Sequence, residues 1–225
     1  MTVIYLMRHS IADKNIDFSS LKESFENINR KYTLSIDGEK KSFLYSNLKE
    51  LSNLNMVVSS NYTRCISTAK YMAYKNNLNV VVDSSFDERK FGVDDSSKIP
   101  VDFFKKQFLN HEYKLKNGES FDEVKTRAFK GLARVIKKNK NKSALIVTHS
   151  STISFLLSKW CECEYNSKYI IRYKDKTIVD GFKTPDLIEL KFNEKHRLES
   201  IRRVEVKKNN NSNEKKEKRK KKNKK

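Results

Sequence analysis

Two histidines in this sequence each follow directly after a short apolar run. Residues 3–7 are followed by Arg8 and His9, and residues 144–148 are followed by His149. Such runs predict buried strands of a parallel sheet, and ligands of these sheets bind beyond the carboxyl ends of the strands. Histidine can act there as a nucleophile or proton carrier, and arginine offers a planar fork of donors to phosphate or carboxylate. The alternative is that these are ordinary surface residues, so the pattern needs support from elsewhere in the chain.

A third candidate, Arg64, lies near the start of a predicted helix. Residues 56–58 predict a second buried strand, and Ser60 or Asn61 can cap the helix that follows at once. The first turn of a helix has unpaired N–H groups and a partial positive charge, so its N-terminus favours an anion. Arg64 could reach the same anion; otherwise it is an ordinary solvated residue of the helix.

The remaining elements must position these candidates. A short strand at 80–82 precedes a loop that contains Glu88, whose carboxyl group can give and take protons. Helices are predicted from the cap Asp37, from Pro100 to about residue 109, and from Ser120 onward. The first of these is predicted to cover one face of the sheet with four apolar side chains at helical spacing: Phe43, Leu44, Leu48 and Leu51.

The C-terminal part of the sequence gives fewer signals. Residues 162–185 are polar and aromatic, and we predict an irregular flap there. Residues 186–192 alternate as an outer antiparallel strand should, and residues 201–206 are predicted to be its hairpin partner. Glu119 and Arg127, at the start of the long helix that follows Ser120, are interpreted as ordinary capping and surface residues.

Length and charge predict one domain with a tail. At 225 residues the chain can form a single α/β domain, which we place at residues 1–206. Residues 207–225 contain eleven basic and two acidic residues, a net charge of +9 out of +20 for the chain, with no apolar side chain, so they are predicted to be disordered. This tail either binds phosphates or is a solvated extension. A solvated extension is favoured, because no aromatic residue lies between the lysines to stack on bases. The only binding then expected of the tail is weak and nonspecific, to anions.

The sequence also predicts a cytoplasmic location. No stretch approaches the roughly 18 apolar residues that a membrane span needs, and the first apolar run precedes its basic residue, the reverse of a signal peptide. Cys65, Cys161 and Cys163 are odd in number and lack the spacing of a zinc site. They are therefore interpreted as free thiols in a reducing compartment.

In chain order, these features resemble the histidine phosphatase superfamily, also called the phosphoglycerate mutase-like family. The resemblance spans about residues 2–160 and rests on five segments: Leu6-Met7-Arg8-His9-Ser10, similar to the family's Arg-His-Gly signature; residues 58–69, similar to its Ser-Ser-x-x-x-Arg-x-x-x-Thr-Ala segment; Phe86-x-Glu88-x-x-Phe91-Gly92, similar to its acid loop; Gly118-Glu119-Ser120 with Arg127; and Val147-Thr148-His149. It implies a three-layer α/β/α sandwich whose central sheet is mostly parallel, with an antiparallel edge strand.

The resemblance also implies a phosphatase that hydrolyses a small phosphomonoester. His9 would attack the phosphorus and carry a transient phosphohistidine. Arg8, Arg64 and His149 would surround the phosphoryl oxygens and stabilise the charge of the transition state. Glu88 would protonate the leaving oxygen and then activate water. The two guanidinium groups would disfavour a protonated His9 and so keep its lone pair available.

Three further residues are expected to contact substrate. Asn15 matches a position that touches phosphate in many relatives, the backbone of Ser150 lies at the start of a helix, and Arg89 would favour an anionic molecule. Ser10 and Ser150 stand where the family commonly has glycine, and a side chain makes close backbone approach to phosphate harder. The resemblance implies no metal and no cofactor, and the sequence gives no indication of the oligomeric state.

Two other functions remain open at this point. A cofactor-dependent phosphoglycerate mutase is suggested by residues 88–92, which echo the mutase acid loop, but only thirty residues separate Glu88 from Gly118, where mutases usually carry a long insertion. The other is an inactive phosphatase-like domain that binds nucleic acid or membranes through residues 207–225.

Overall fold

The structure is a computed structural model of the chain, in which residues 1–18, 20 and 22–206 are described. The predicted disordered tail, residues 207–225, lies outside the described residues. The strands are β1 (Thr2–Arg8), β2 (Met56–Ser59), β3 (Val80–Val82), β4 (Ser143–Thr148), β5 (Glu162–Asn166), β6 (Lys168–Tyr173), β7 (Lys176–Asp180), β8 (Asp186–Phe192) and β9 (Leu198–Arg203). The α-helices are α1 (Phe25–Lys31), α2 (Ile36–Ser46), α3 (Thr63–Lys75), α4 (Phe103–Leu109), α5 (Phe121–Lys138) and α6 (Ser150–Leu157).

Six strands form the central sheet in the order β3-β2-β4-β1-β8-β9. Strands β3, β2, β4 and β1 are parallel, β8 pairs antiparallel with β1, and β9 pairs antiparallel with β8. The predicted mostly parallel sheet with an antiparallel edge is therefore confirmed, and that edge consists of a hairpin. Strand β9 begins and ends three residues before the predicted 201–206.

The two faces of β1 build two separate cores. Ile4 and Leu6 face a cluster that contains apolar residues of α5 and α6, whereas Tyr5 and Met7 face a cluster that contains residues of α3. A strand that is buried on both faces shows the continuous apolar sequence by which β1 was predicted. Helices thus cover both faces of the sheet, as in a three-layer sandwich.

Helix α2 ends at Ser46, so two of the four predicted apolar residues, Leu48 and Leu51, follow it and pack in the core, whereas the two within the helix do not. Phe43 and Leu44 are 57% and 62% exposed, while its buried residues are Gly38, Ser42 and Ser46. Its N-cap is Ser35, whose hydroxyl accepts the N–H of Gly38, rather than Asp37.

The reason for this difference is a close backbone contact at Gly38. A Cβ placed on Gly38 would lie 2.1 Å from the carbonyl oxygen of Ile11. Small residues therefore form the contact face of α2, because only they let the helix approach the loop after β1.

Residues 162–185 are also more regular than predicted. They form a three-stranded antiparallel sheet in the order β5-β6-β7. Buried and exposed positions alternate along β6, where Tyr169 and Ile171 are buried. The alternation is hidden in the sequence because Ile170, on the less buried face between them, is also apolar. Among the described helices, none is long and apolar enough to cross a bilayer.

The contact at Gly38 gives a stability prediction. Gly38→Ala should lower the free energy of unfolding by roughly 1–3 kcal/mol, because the added methyl overlaps the backbone of Ile11. In an open helical position the same change would stabilise the helix. Urea unfolding of Gly38→Ala beside Lys40→Ala, which lies on the same helix, tests this; a Gly38→Ala variant as stable as wild type would contradict the close contact.

Candidate active site

The register of the central sheet places the two predicted histidines side by side. Arg8 and Thr148 are paired at the ends of the parallel strands β1 and β4, and His9 and His149 directly follow these two strands. The N–H of His9 donates to the carbonyl oxygen of Thr148 at 2.9 Å. The imidazole centroids are 5.2 Å apart, with the rings inclined at 64°.

Arg64 connects the two imidazoles. Its Nε donates to Nε2 of His9 at 3.0 Å, and its Nη2 donates to Nδ1 of His149 at 3.3 Å. Its third nitrogen, Nη1, donates to the carbonyl oxygen of Asn29 on α1, and the guanidinium lies 4.7 Å from the centroid of the Tyr62 ring. The guanidinium is therefore held in place from three sides.

The start of α3 differs from the prediction in one respect. Neither Ser60 nor Asn61 caps the helix, because its N-cap is Tyr62, which makes no side-chain capping bond. The Ser60 hydroxyl instead accepts the N–H of Tyr62 and contacts Nε2 of His149 at 2.9 Å. Ser60 thus orients an imidazole.

These partners define the tautomers of both histidines. A carbonyl oxygen can only accept and a guanidinium can only donate. Nδ1 of His9, 2.7 Å from the carbonyl oxygen of Ser10, therefore carries the hydrogen, and Nε2 of His9 carries the lone pair that faces Arg64. Nδ1 of His149 accepts from Arg64, so its Nε2 carries the hydrogen that is donated to Ser60.

Both histidines are kept neutral by their surroundings. Burial and the charge of Arg64 lower the pKa of His9 well below its ordinary value, and the same two causes, in the same order, lower the pKa of His149. The charge of Arg8 lowers the pKa of His9 further, which agrees with the sequence-based expectation. A neutral imidazole with a free lone pair can act as a nucleophile.

Glu88 lies beside His149. Its Oε2 is 3.9 Å from Nδ1 of His149, and its side chain is 13% exposed. Its Oε1 accepts the N–H of Arg89 at 3.0 Å. One carboxylate oxygen is thus bound to its own loop, while the other faces His149.

Arg8 contributes the second guanidinium. Its Nη1 donates to the carbonyl oxygens of Phe182 and Lys183 at 3.2 and 3.3 Å, which ties it to the turn before β8. Its Nε is buried and has no protein partner. Buried donors of this kind normally find a partner, so Nε is suited to a ligand oxygen.

Of the three additional predicted contact residues, Arg89 is held outside this cluster. Arg89 is fully buried, donates to Gln107 and Tyr169, and is surrounded by phenyl rings, so its guanidinium belongs to the packing and not to the predicted substrate site. Asn15 is exposed, and its described hydrogen bond joins its N–H to Asp13.

The two serines at the glycine positions of the family behave differently. Ser150 is the first residue of α6, and its carbonyl oxygen accepts the hydroxyl of Ser154. Ser10 is buried, and its hydroxyl donates to the carbonyl oxygen of Gly38 at 2.8 Å. The Ser10 side chain therefore points to α2 and stabilises the contact that Gly38 makes possible.

Arg127 is the residue whose role the sequence interpretation missed. It is not a surface residue: it donates to both carboxylate oxygens of Glu119 and to carbonyl oxygens of the loop that carries Glu88. The available signal was the resemblance itself, in which Gly118-Glu119-Ser120 is accompanied by Arg127. The contacts of Arg127 with the loop are long-range, and a helical pattern does not show them.

Comparison with known proteins shows the family. The model of the histidine phosphatase superfamily (branch 1) matches residues 4–179. The uncharacterized phosphatase PhoE of Bacillus subtilis (strain 168) is 26% identical over 159 residues, which are 71% of this chain and 77% of that protein.

Solved structures show the same fold. YhfR of Bacillus stearothermophilus superposes with a TM-score of 0.66 at 16% identity, over 88% of this chain and 95% of that one. A mycobacterial glucosyl-3-phosphoglycerate phosphatase complexed with VO3 gives 0.64 at 16% identity, over 90% and 96%. Phosphoserine phosphatase from Entamoeba histolytica, in complex with 3-phosphoglyceric acid, gives 0.61 at 19%, over 91% and 98%.

The sheet topology and the family match together define the class of protein, an α/β phosphatase. The chain belongs to the histidine phosphatase superfamily.

The lowered pKa of His149 predicts how stability depends on pH. In the unfolded chain a histidine takes up a proton below about pH 6.5, whereas buried His149 stays neutral, so its contribution to stability is present above that pH and is lost as the pH falls. When the buried imidazole stays neutral over this range and only the unfolded chain takes up the proton, the loss between pH 7.5 and 5.5 is about 1.4 kcal/mol. Urea unfolding at the two pH values should show a difference smaller by about this amount in His149→Gln. His111→Gln, a change at the surface, serves as the control, and an unchanged difference in His149→Gln would contradict the burial of a neutral imidazole.

Proposed function

We propose that this phosphatase hydrolyses a small phosphomonoester through a phosphohistidine on His9, with Glu88 as general acid and base. The observation that carries the proposal is the hydrogen bond from Arg64 to Nε2 of His9, with Nδ1 committed to the carbonyl oxygen of Ser10. This pairing leaves the lone pair of His9 on Nε2, the nitrogen that faces Arg64.

In the first step, a phosphate ester replaces the contacts that Arg64 makes with the imidazoles. Its oxygens accept from Arg8 and Arg64, which disperse the charge of the transition state. Once Arg64 leaves Nδ1 of His149, this imidazole takes the other tautomer: Nε2 accepts the Ser60 hydroxyl, and the Nδ1 hydrogen is donated to the phosphate. Nε2 of His9 forms a bond to phosphorus while the bond from phosphorus to the leaving oxygen breaks. The protonated carboxyl of Glu88 gives its proton to that oxygen.

In the second step, water hydrolyses the phosphohistidine. Glu88, now a carboxylate, takes a proton from the water as its oxygen bonds to phosphorus. The bond from phosphorus to Nε2 of His9 breaks, and inorganic phosphate and the neutral imidazole are released. Protein groups supply the charges, and Glu88 and the attacking water supply the protons, so the proposed reaction uses no metal or cofactor.

A small substrate agrees with the position of α1. Asn29 accepts a hydrogen bond from Arg64, and Arg30 lies 5.2 Å from the centroid of the Tyr62 ring. Helix α1 therefore covers one side of the proposed phosphate site. The glucosyl-3-phosphoglycerate and phosphoserine phosphatases among the similar structures carry names of small phosphorylated substrates, which supports the same class here.

His9→Ala tests the covalent step. Wild type, mixed with a phosphomonoester such as p-nitrophenyl phosphate and quenched rapidly, should carry phosphate that is labile in acid and stable in base. His9→Ala should carry none, and its turnover should fall by at least about three orders of magnitude because no other nucleophile is in place. Substitution of the surface histidine, His196→Ala, should change neither result. Phosphate on another residue, or full turnover without His9, would refute the mechanism.

A separate assay distinguishes the mutase. We expect 3-phosphoglycerate, supplied with bisphosphoglycerate, to release inorganic phosphate or to remain unchanged. Rapid conversion to 2-phosphoglycerate without phosphate release would reject hydrolysis as the main activity.

Deletion of residues 207–225 should leave hydrolysis intact. An inactive binding domain would instead hydrolyse nothing, and the deletion would remove its salt-dependent binding of anions.

A further inference from the structure

The loop that carries Glu88 is bound through its backbone. The carbonyl oxygens of Ser85 and Asp87 accept from Nη1 of Arg127 at 3.0 and 2.9 Å, and that of Glu88 accepts from Nη2 at 3.1 Å. A single guanidinium thus binds three carbonyl oxygens within four residues, the last being that of Glu88 itself.

Glu119 holds that guanidinium in place. Its two carboxylate oxygens accept from Nε and Nη2 of Arg127 at 2.8 and 2.9 Å, a two-point contact between planar groups. Glu119 also accepts the N–H of Lys90 at 2.9 Å and donates its own N–H to the carbonyl oxygen of Lys90. Arg127 and Glu119 together therefore hydrogen-bond to the loop both before and after Glu88.

The histidine segment binds the same loop. The hydroxyl of Thr148 donates to the carbonyl oxygen of Phe86, and the hydroxyl of Thr152 donates to that of Asp87 at 2.9 Å. Thr148 directly precedes His149. The position of Glu88 relative to His149 is thus set by contacts from two directions, α5 on one side and the β4–α6 junction on the other.

We propose that Arg127, oriented by Glu119, is the positioning residue that places Glu88 for proton transfer to the leaving group. This inference rests on the proposed function, because it presumes that Glu88 is the general acid. Both side chains are about one fifth exposed, 21% for Arg127 and 19% for Glu119, and Arg127 does not touch the phosphate site directly. Displacement of Glu88 would slow proton delivery to the leaving group, which kcat/KM reports, and would also slow the activation of water in the second step, which affects kcat but not kcat/KM.

The leaving group provides the test. p-Nitrophenolate leaves as a stable anion and needs no proton, whereas an alkoxide such as that of glycerol phosphate does. For Arg127→Gln and Arg127→Lys, we expect kcat/KM for glycerol phosphate to fall about 10- to 100-fold, part of what a general acid contributes, and kcat/KM for p-nitrophenyl phosphate to change less than about 3-fold. Lysine should not rescue, because one ammonium group cannot bind Glu119 and three carbonyl oxygens together.

The chain offers a matched control on the same helix. Arg134 donates to Asp83 and to the hydroxyl of Ser85 at 2.8 Å, so it binds the same loop without touching the carbonyl oxygens near Glu88. Arg134→Gln should leave both kcat/KM values within about 2-fold of wild type. Circular dichroism melting establishes that each variant is folded, and Glu119→Gln provides a milder second variant with the same expected pattern.

The outcomes separate this inference from the proposed function. Equal losses with both substrates, or no loss with either, in folded Arg127 and Glu119 variants would overturn the positioning role. Glu88→Gln should show the same selectivity for leaving group with a larger loss. If Glu88→Gln is not selective while His9→Ala is inactive, the acid role of Glu88 is wrong, and the role of Arg127 falls with it.

Discussion

The guanidinium of Arg64 is the group on which the arrangement of the site depends. It donates to one ring nitrogen of His9 and one of His149, and because a guanidinium has no acceptor, both nitrogens must be unprotonated. The two imidazoles are therefore neutral and fixed as tautomers by a single side chain. This contact is possible because β1 and β4 are adjacent, parallel and in a register that ends both strands at the same level.

A buried guanidinium without a carboxylate partner is costly unless its donors are satisfied. Arg64 is 6% exposed, and its donors are taken by two imidazoles and the carbonyl oxygen of Asn29, with the ring of Tyr62 against its plane. None of these partners carries a negative charge. Together with Arg8, the site thus keeps a net positive field, which suits a phosphate dianion and is consistent with membership of a phosphatase family.

Much of the fold could be predicted from sequence because its strands are buried on both faces and form continuous apolar runs. The same rule placed Arg8, His9 and His149 at strand ends. It could not show that β1 and β4 are neighbours; the family resemblance implied only that their histidines meet at one phosphate, and the structure gives the strand order. The face of α2 was predicted wrongly because close packing at Gly38 selects small residues, which periodicity of apolar residues does not detect.

Arginines were the least predictable residues, since the sequence alone does not distinguish a ligand-binding guanidinium from a structural one. Arg64 and Arg89 are both buried, yet Arg64 faces two imidazoles and Arg89 faces Gln107, Tyr169 and a set of phenyl rings. The difference arises from partners that are distant in the chain, on α4 and β6 in the case of Arg89. Local spacing carries no record of these contacts, so only the assembled structure separates the two roles.

The charges around Glu88 are arranged so that two acidic residues, Glu119 and Asp87, pair with the arginines that approach this loop from α5 and α1. A carboxyl that must gain and lose a proton in each cycle cannot be locked in an ion pair with a guanidinium, which would hold it as a carboxylate. Arg127 is close enough to bind the carbonyl oxygen of Glu88, but its charge is matched by Glu119. Similarly, Asp87 accepts the N–H of Asn61 and pairs with Arg30 at 3.5 Å. The positive charge of Arg30 is therefore matched by Asp87 and not by Glu88. The loop is therefore held through its backbone, while Oε2 of Glu88, the proposed acid and base, faces neutral His149 and not a guanidinium.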